Sequence, residues 1–551
     1  MSPEPAADVS TASQPATLVA DLVALAAARQ GSRTALVEPS GRSLTWADAE
    51  DEVGRTAAGY GQVGMVAGQR VLFVLGNRIE LVTAYLGALR AQLVAVPVNP
   101  RAKVEELAWM IADSGARLVV ADAATVADAR AASAMVRAAL EGARDVLDED
   151  VVARARSPRV VVVDSEPEAG ELSFADLRAD EARDVPSRPD PETLACLLYT
   201  GSTVDLPRAA MLTHRALLAN LGQAAAVDPP MVRADDVVLG VLPLFHVYGL
   251  NAVLGSVLCH AATLVIADHF DPRGTLDVVA AHGVTVVPVA PAVFPHWLAL
   301  DDLPRALSSV RLVLSGSSPL TRGVIEEFVA RTGVPVHQGY GLTEAAPVVT
   351  STLASAGLEP GSLGAPLPGV GLRLVDDHGL APETGDPGEI QVRGANLFSG
   401  YWPDGSGGPG TDGWWATGDV GFLDDAGDLY LVDRAAEVVV VAGFRVYPVE
   451  VEAVISVVPG VVDVAVIGVP DDPDAPEGVG GATVVAYVRA PGQDPAAVTA
   501  AVRERCESAL AGFKRPGRIE VVEDLPTTLS GRVRKGALRQ LERRRALGLL
   551  E

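Results

Sequence analysis

The sequence predicts an α/β protein: a large N-terminal domain of layered α/β subdomains with a small β-rich subdomain, followed by a small α+β C-terminal domain. Three observations carry this reading. Apolar β-branched runs alternate with Ala-rich amphipathic segments up to about residue 350, the pattern of largely parallel sheets covered by helices. Near residue 360 the texture changes to short runs punctuated by Gly and Pro, the pattern of antiparallel strands. The chain has 551 residues, more than one hydrophobic core holds, so several packing units are required.

In chain order, residues 1–16 read as a disordered leader of Pro, Ala, Ser and acidic residues. They carry no basic n-region and no apolar h-region, so they are not a secretory signal. Residues 17–29, 79–91 and 104–114 have helical periodicity. Residues 71–75, 93–98, 116–121, 160–163, 263–266, 284–289 and 311–314 read as buried strands. The apolar stretch 237–267 holds Pro243, His246, Gly249, Asn251 and His260, which are costly in lipid, so it reads as a buried strand–loop–helix. Residues 371–375, 388–392 and 429–432 are strands of the β-rich subdomain, with the turn-rich 404–413 among them. A compact pattern follows: helices at 449–457, 495–511 and 535–551, strands at 462–468 and 482–489, and loops at 512–518 and 524–534. The expected boundaries are 17–432 for the N-terminal domain (closing subdomain 360–432), a hinge at 433–437, and 438–551 for the C-terminal domain. No period of 20–50 residues marks a solenoid or propeller.

Hydrophobic residues make up 49% and charged residues 21%, a globular balance rather than a disordered one. The net charge of −26 repels nucleic acid and anionic membranes. No membrane span and no nucleic-acid partner are expected, and the chain reads as a monomer or homodimer. Lysine occurs only at Lys103, Lys514 and Lys535, so nearly every basic residue is arginine. Cys196, Cys259 and Cys506 have no metal-binding spacing. They read as small core residues, and their sparse, odd number fits a reducing cytoplasm.

Five strings carry chemistry. In Leu197-Leu198-Tyr199-Thr200-Gly201-Ser202-Thr203-Val204-Asp205-Leu206-Pro207-Arg208, a strand enters a hydroxyl-rich loop and a basic residue, before a helix from about His214. Such a loop can cradle phosphate, and a surface turn gives the same string. In Gln338-Gly339-Tyr340-Gly341-Leu342-Thr343-Glu344, glycines admit a planar ring and Tyr340 can stack on it. Thr343 and Glu344 offer oxygens to phosphate and a divalent cation. In Trp414-Trp415-Ala416-Thr417-Gly418-Asp419, with Arg434 a strand later, a carboxylate and a guanidinium suit vicinal hydroxyls. A structural ion pair would look alike. The last two strings, Gly443-Phe444-Arg445-Val446-Tyr447-Pro448 and Leu525-Pro526-Thr527-Thr528-Leu529-Ser530-Gly531-Arg532, each read alone as a loop entering a helix.

Taken together, in this order and spacing, the five strings resemble the adenylate-forming superfamily of acyl-CoA synthetases, peptide-synthetase adenylation domains and luciferases. The resemblance runs from about residue 17 to the end. Leu242-Pro243-Leu244-Phe245-His246-Val247-Tyr248-Gly249 and Leu314-Ser315-Gly316-Ser317-Ser318-Pro319-Leu320 are similar to strings of fatty and aromatic acid ligases. The resemblance implies a carboxylic acid–CoA ligase that uses ATP, Mg²⁺ and coenzyme A, with a mobile C-terminal domain. A fatty or similarly apolar acid is expected, because Phe245, Leu250, Val253, Leu254, Val293 and Phe294 would form apolar walls. The resemblance places Tyr340 on adenine, beside Gln338, Gly339 and Gly341, with Gly341 also facing the acid. Asp419 and Arg434 would hold ribose. Thr200, Ser202, Thr203, Arg208 and Thr343 would face phosphates. Glu344 would hold Mg²⁺ and His246 would lie near the carboxylate. Gly316, Ser317 and Ser318 would run beside adenine and acyl chain, Arg532 would assist adenylation, and Gly443 with Phe444 would line the coenzyme A channel.

The family's phosphate loop reads roughly Y-T-S-G-T-T-G-x-P-K-G. Here Gly201, Ser202, Val204, Asp205, Arg208 and Ala209 depart from it. A carboxylate about 5 Å from a phosphate charge costs roughly 3 kcal/mol at an effective dielectric near 20. The family's C-terminal lysine aligns with Arg532, and its hinge residue with Ala436. Lys535 lies three residues from Arg532 and is expected to face elsewhere. Scarcity of lysine accounts for Arg208 and Arg532 but not for Asp205 or Ala436. Two further readings therefore stay open: a member that binds nucleotide or acyl ligand without efficient turnover, and one that passes its acyl group to an acceptor other than coenzyme A.

Overall fold

The computed structural model describes the chain except residues 1–15, 144–146, 183–188, 201–206, 319, 358, 360, 377, 384, 435–436, 442–443, 471–481, 528–532 and 547–551. At 433, 434, 440, 444, 445 and 546 it describes the backbone alone. Two large, mainly parallel sheets dominate. The seven-stranded sheet runs Leu172–Ser173, Arg159–Val163, Leu118–Asp122, Arg70–Val74, Val94–Pro97, Leu194–Thr200 and Arg208–Thr213, with only the last pair antiparallel. The nine-stranded sheet has a parallel centre: Val336–Gly341, Leu312–Ser315, Val286–Val289, Val237–Gly240, Thr263–Ile266 and Thr34–Val37. Antiparallel strands close both of its edges. The predicted α/β class holds. Buried strands such as Val71, Leu72, Phe73 and Val74 read as continuous apolar runs because helices cover both faces.

The stretch 237–267 is the expected strand, loop and helix, returning as the strand Thr263–Ile266. Among the described residues, no helix is long and apolar enough to cross a membrane. Cys196 and Cys506 are buried as expected, whereas Cys259 is only partly so. Two of the differences from the sequence reading change how segments connect. Arg208 does not lead straight into the helix His214–Ala225 but begins a return strand against Leu194–Thr200. Arg518–Val522, read as the end of a loop and its sequel, is a strand parallel to Ala482–Arg489.

After residue 370 a four-stranded antiparallel meander follows: Gly371–Val375, Gly388–Arg393, Trp415–Leu423 and Leu429–Arg434. The chain then builds a pair of short strands and a three-stranded sheet flanked by Pro448–Ser456, Pro495–Ala509 and Lys535–Ala546. The apolar clusters divide at the same point. Among the described residues, four contain none beyond Leu431 and two contain none before Val439.

Candidate active site

The nine-stranded sheet places one residue from each of three parallel strands in a row: Pro288, Leu314 and His337. These residues form the floor of a pocket. Side chains alternate along a strand, so Val287, Val289 and Val313 point to the opposite face and pack there with Val293 and Phe294. The roof is the π-helix Tyr248–Gly255, which brings Tyr248, Ala252 and Val253 over the floor. The Tyr248 hydroxyl donates to the Leu314 carbonyl at 3.3 Å, tying roof to floor. A Cβ at Gly316 would meet the Tyr248 ring at 2.8 Å, so glycine there lets the ring lie flat against the strand end. The pocket and the open solvent before it together span about 800 Å³, and His246, Ser317, Tyr340 and Gly341 stand at its mouth. His337 is the polar spot of the floor. Its Nδ1 meets the Thr352 hydroxyl at 3.1 Å, and burial holds its pKa below the usual imidazole value, so it is neutral at pH 7.

Tyr340 links this mouth to the antiparallel meander. Its hydroxyl donates to Asp419 Oδ2 at 2.7 Å. Asp419 stands directly opposite Arg434 on the neighbouring strand. Its backbone N–H donates to the Thr417 hydroxyl at 3.1 Å.

A second group gathers where the hairpin Leu194–Thr200/Arg208–Thr213 approaches the turn Thr343–Ala345. Thr200 and Arg208 face each other across the hairpin, and the Thr200 hydroxyl donates to the Arg208 carbonyl at 3.2 Å. The Arg208 guanidinium lies 3.7 Å from the centre of the Tyr401 ring. The Tyr401 hydroxyl donates to Glu344 Oε1 at 2.6 Å. Burial first, and the Glu344 carboxylate next, push the Tyr401 pKa well above the usual range, so the hydroxyl remains a donor. Among the described residues no three His, Cys, Asp or Glu side chains gather as a metal cluster. The Glu344 carboxylate and the Tyr401 hydroxyl beside it are oxygen groups, the kind that a hard cation takes.

The structure therefore brings His246, Gly316, Ser317, Gln338, Gly339, Tyr340 and Gly341 to one pocket. Within it, the Gln338 amide accepts from Leu320 N–H at 2.7 Å and donates to the Ser362 carbonyl at 3.4 Å, so it also braces the turn after Ser315. Of the expected wall residues Val253 lines the pocket, whereas Phe245, Leu250, Leu254, Val293 and Phe294 do not. Leu250 is buried in the core behind the roof helix. Val293 and Phe294 lie across the sheet, with Phe294 edge-on to Phe328, and Phe245 is half-buried outside the lining. Ser318 and Thr343 also stand outside the lining. Ser202, Thr203, Asp205, Gly443 and Arg532 lie outside the described residues. So do the side chains of Arg434 and Phe444. Lys535 pairs with Glu437 at 3.1 Å and with Glu452 at 2.9 Å. Sequence reasoning held Tyr248 only as one member of the string Leu242–Gly249 expected along the acyl pocket, and it missed His337 and Tyr401. The one signal for Tyr401 was an aromatic residue set among the glycines of 400–413.

Comparison with known proteins gives a consistent result. The family model described as AMP-binding enzyme matches residues 23–402, and that of the AMP-binding enzyme C-terminal domain matches 450–532. 4-Coumarate–CoA ligase 3 of Oryza sativa subsp. japonica is 31% identical over 529 residues, spanning 93% of this chain and 90% of the relative. A long-chain-fatty-acid–CoA ligase of Bacillus subtilis (strain 168) is 30% identical over 531 residues, spanning 94% of this chain and 93% of the relative. The ATP-bound crystal structure of MatB from Rhodopseudomonas palustris superposes with a TM-score of 0.82 at 29% identity, covering 95% of this chain and 99% of that one.

Proposed function

The chain belongs to the AMP-binding enzyme family, and on that premise we propose that it is an AMP-forming acid–CoA ligase acting on an apolar acid. The carboxylate oxygen attacks the α-phosphorus of ATP; the acyl–phosphate bond forms, the bond to the β-phosphate breaks, and pyrophosphate leaves. The thiol sulfur of coenzyme A then attacks the acyl carbon, loses its proton, and displaces AMP. Activation is needed because a carboxylate oxygen is a poor leaving group and AMP a good one.

The observation that carries this reading is the pocket itself. Its lining is mainly apolar, with His337, Ser315, Thr350 and Ser351 among its polar members, and its mouth is built from the Tyr340–Gly341 step and His246. The acid lies along Leu314 and Val253 with its carboxylate toward His246. Tyr340 flanks adenine and holds Asp419 in place for ribose, opposite Arg434. Thr200, Ser202, Thr203, Arg208 and Thr343 surround the phosphates. Glu344 would hold Mg²⁺, which would neutralise phosphate charge. Arg532, from the C-terminal part of the chain, adds positive charge, and residues 433–437 are the hinge that brings it in. Gly443 and Phe444 border the thiol's path.

The test is pyrophosphate release from Mg-ATP across saturated fatty acids and aromatic acids, with and without coenzyme A. Release that depends on the acid, with thioester when coenzyme A is present, is expected. Release without thioester would assign a different acceptor. Binding of ATP with no release for any acid would leave a ligand-binding member of the family in place of the ligase.

A further inference from the structure

Residues 398–408 run beside the strand Arg208–Thr213 as an irregular ladder. Ser399 N–H donates to the Met211 carbonyl at 2.9 Å, Met211 N–H to the Gly400 carbonyl at 3.0 Å, and Trp402 N–H to the Ala209 carbonyl at 2.9 Å. Gly400 has φ +89°, and a Cβ there would run into the Gly405 carbonyl, so the segment folds back this tightly only with glycine. The Trp402 indole N–H anchors the segment by donating to the Asp113 carbonyl at 2.9 Å. Tyr401 is thus delivered to one fixed point, with Phe398 packed edge-on at 5.0 Å.

Arg208 and Glu344 both meet this ring, one over its face and one at its hydroxyl. A long guanidinium at a hairpin mouth would otherwise sample many rotamers, and stacking on an aromatic face restricts it. A short O–H···O⁻ bond fixes which way the carboxylate turns.

We propose that Tyr401 is a positioning residue that holds the cation-facing carboxylate of Glu344 and the phosphate-facing guanidinium of Arg208 at a set separation, so that the nucleotide and its divalent cation bind as one unit. This rests on the ATP-dependent reading above. Its hydroxyl serves the cation side and its ring face the phosphate side, so the two effects separate by substitution.

ATP binding is measured by calorimetry while Mg²⁺ is titrated, and again in EDTA; no turnover is involved. Tyr401→Phe keeps the face and loses the hydroxyl. It is expected to raise the Mg²⁺ needed for half-maximal ATP affinity about 10-fold, the usual effect of removing a hydrogen bond to a metal-binding carboxylate. Binding in EDTA should stay within about 2-fold of wild type. Arg208→Met, at an exposed side chain, gives the converse: weaker binding in EDTA and an unchanged Mg²⁺ requirement. An unchanged Mg²⁺ requirement in Tyr401→Phe overturns the proposal. So does equal weakening with and without Mg²⁺, the mark of a merely structural role. If Tyr401→Phe does not fold, an Arg208→Met protein that shifts the Mg²⁺ requirement overturns it as well. Wild-type protein that binds no ATP at any Mg²⁺ concentration overturns the parent reading first, which tells the two failures apart.

Discussion

In the sequence, Gly339 and Gly341 read as openings for a planar ring. In the structure they also permit close strand pairing, because Val336–Gly341 is a strand to its end, paired with Val348–Ser351. A Cβ on Gly339 would stand 2.6 Å from the Thr350 carbonyl oxygen, and one on Gly341 would run into the Pro347 carbonyl oxygen. Gly341→Ala should therefore destabilise the protein by about 2 kcal/mol, the usual range for overpacking. It should also lower kcat/KM at least 10-fold, since the displaced strand is the pocket mouth. Gly323→Ala is the control: nothing lies within 4 Å of its Cβ, and the helix Arg322–Thr332 should gain up to about 1 kcal/mol. Thermal melts and steady-state kinetics check both. Tyr401 was illegible at this scale because its partners Arg208 and Glu344 lie far away in the chain, and no local pattern joins them.

At the level of elements, the wall residues show where periodicity misleads. Leu250 and Leu254 sit four apart, as on an α-helical stripe, yet this segment is a π-helix. Its wider turn rotates the stripe and leaves Tyr248, Ala252 and Val253 on the pocket. Val293 and Phe294 follow a strand whose side chains alternate between two cores, and the chain leaves that strand toward the far one. The helix His214–Ala225 carries a titratable tie of its own. Val19 N–H donates to His214 Nδ1 at 3.1 Å, and burial lowers that imidazole from its ordinary 6.5 to about 4. The folded state holds His214 neutral while the open state takes up a proton. Stability is thus fully present above pH 6.5 and is lost as pH falls toward 4, by about 3 kcal/mol in all. Amide exchange of Asp21–Gln30 between pH 7 and 4, corrected for intrinsic rates, should report this loss. His214→Gln keeps an acceptor without the titration and should flatten the dependence.

Across the whole molecule, the cores on either side of residues 431–439 are built separately, so each part has its own stability. In the C-terminal part, Lys535 ties the start of the helix Lys535–Ala546 to Glu437, just past the proposed hinge, and to Glu452. All three side chains are largely buried, with Lys535 11% exposed. Lys535→Met leaves two carboxylates without their cation, a loss of about 3 kcal/mol. Amide exchange in Asp463–Pro470 and Ala482–Arg489 should quicken about 100-fold, with Leu118–Asp122 unchanged. Equal quickening in both regions would mean that the two parts open together.

The sequence by itself determined the α/β class, the order of elements and the strings that make up the pocket mouth. Apolar period and glycine placement act over a few residues, and the chain spells them out locally. It also marked the family, because five strings at set spacings are recognisable without coordinates. Only the tertiary structure decided which apolar residues face the pocket, that Gln338 braces a turn, that His337 stands in the floor, and that Tyr401 joins Arg208 to Glu344. Each depends on which strands lie side by side and how a helix is wound. Contacts between distant segments settle those choices, and no short window of sequence contains them.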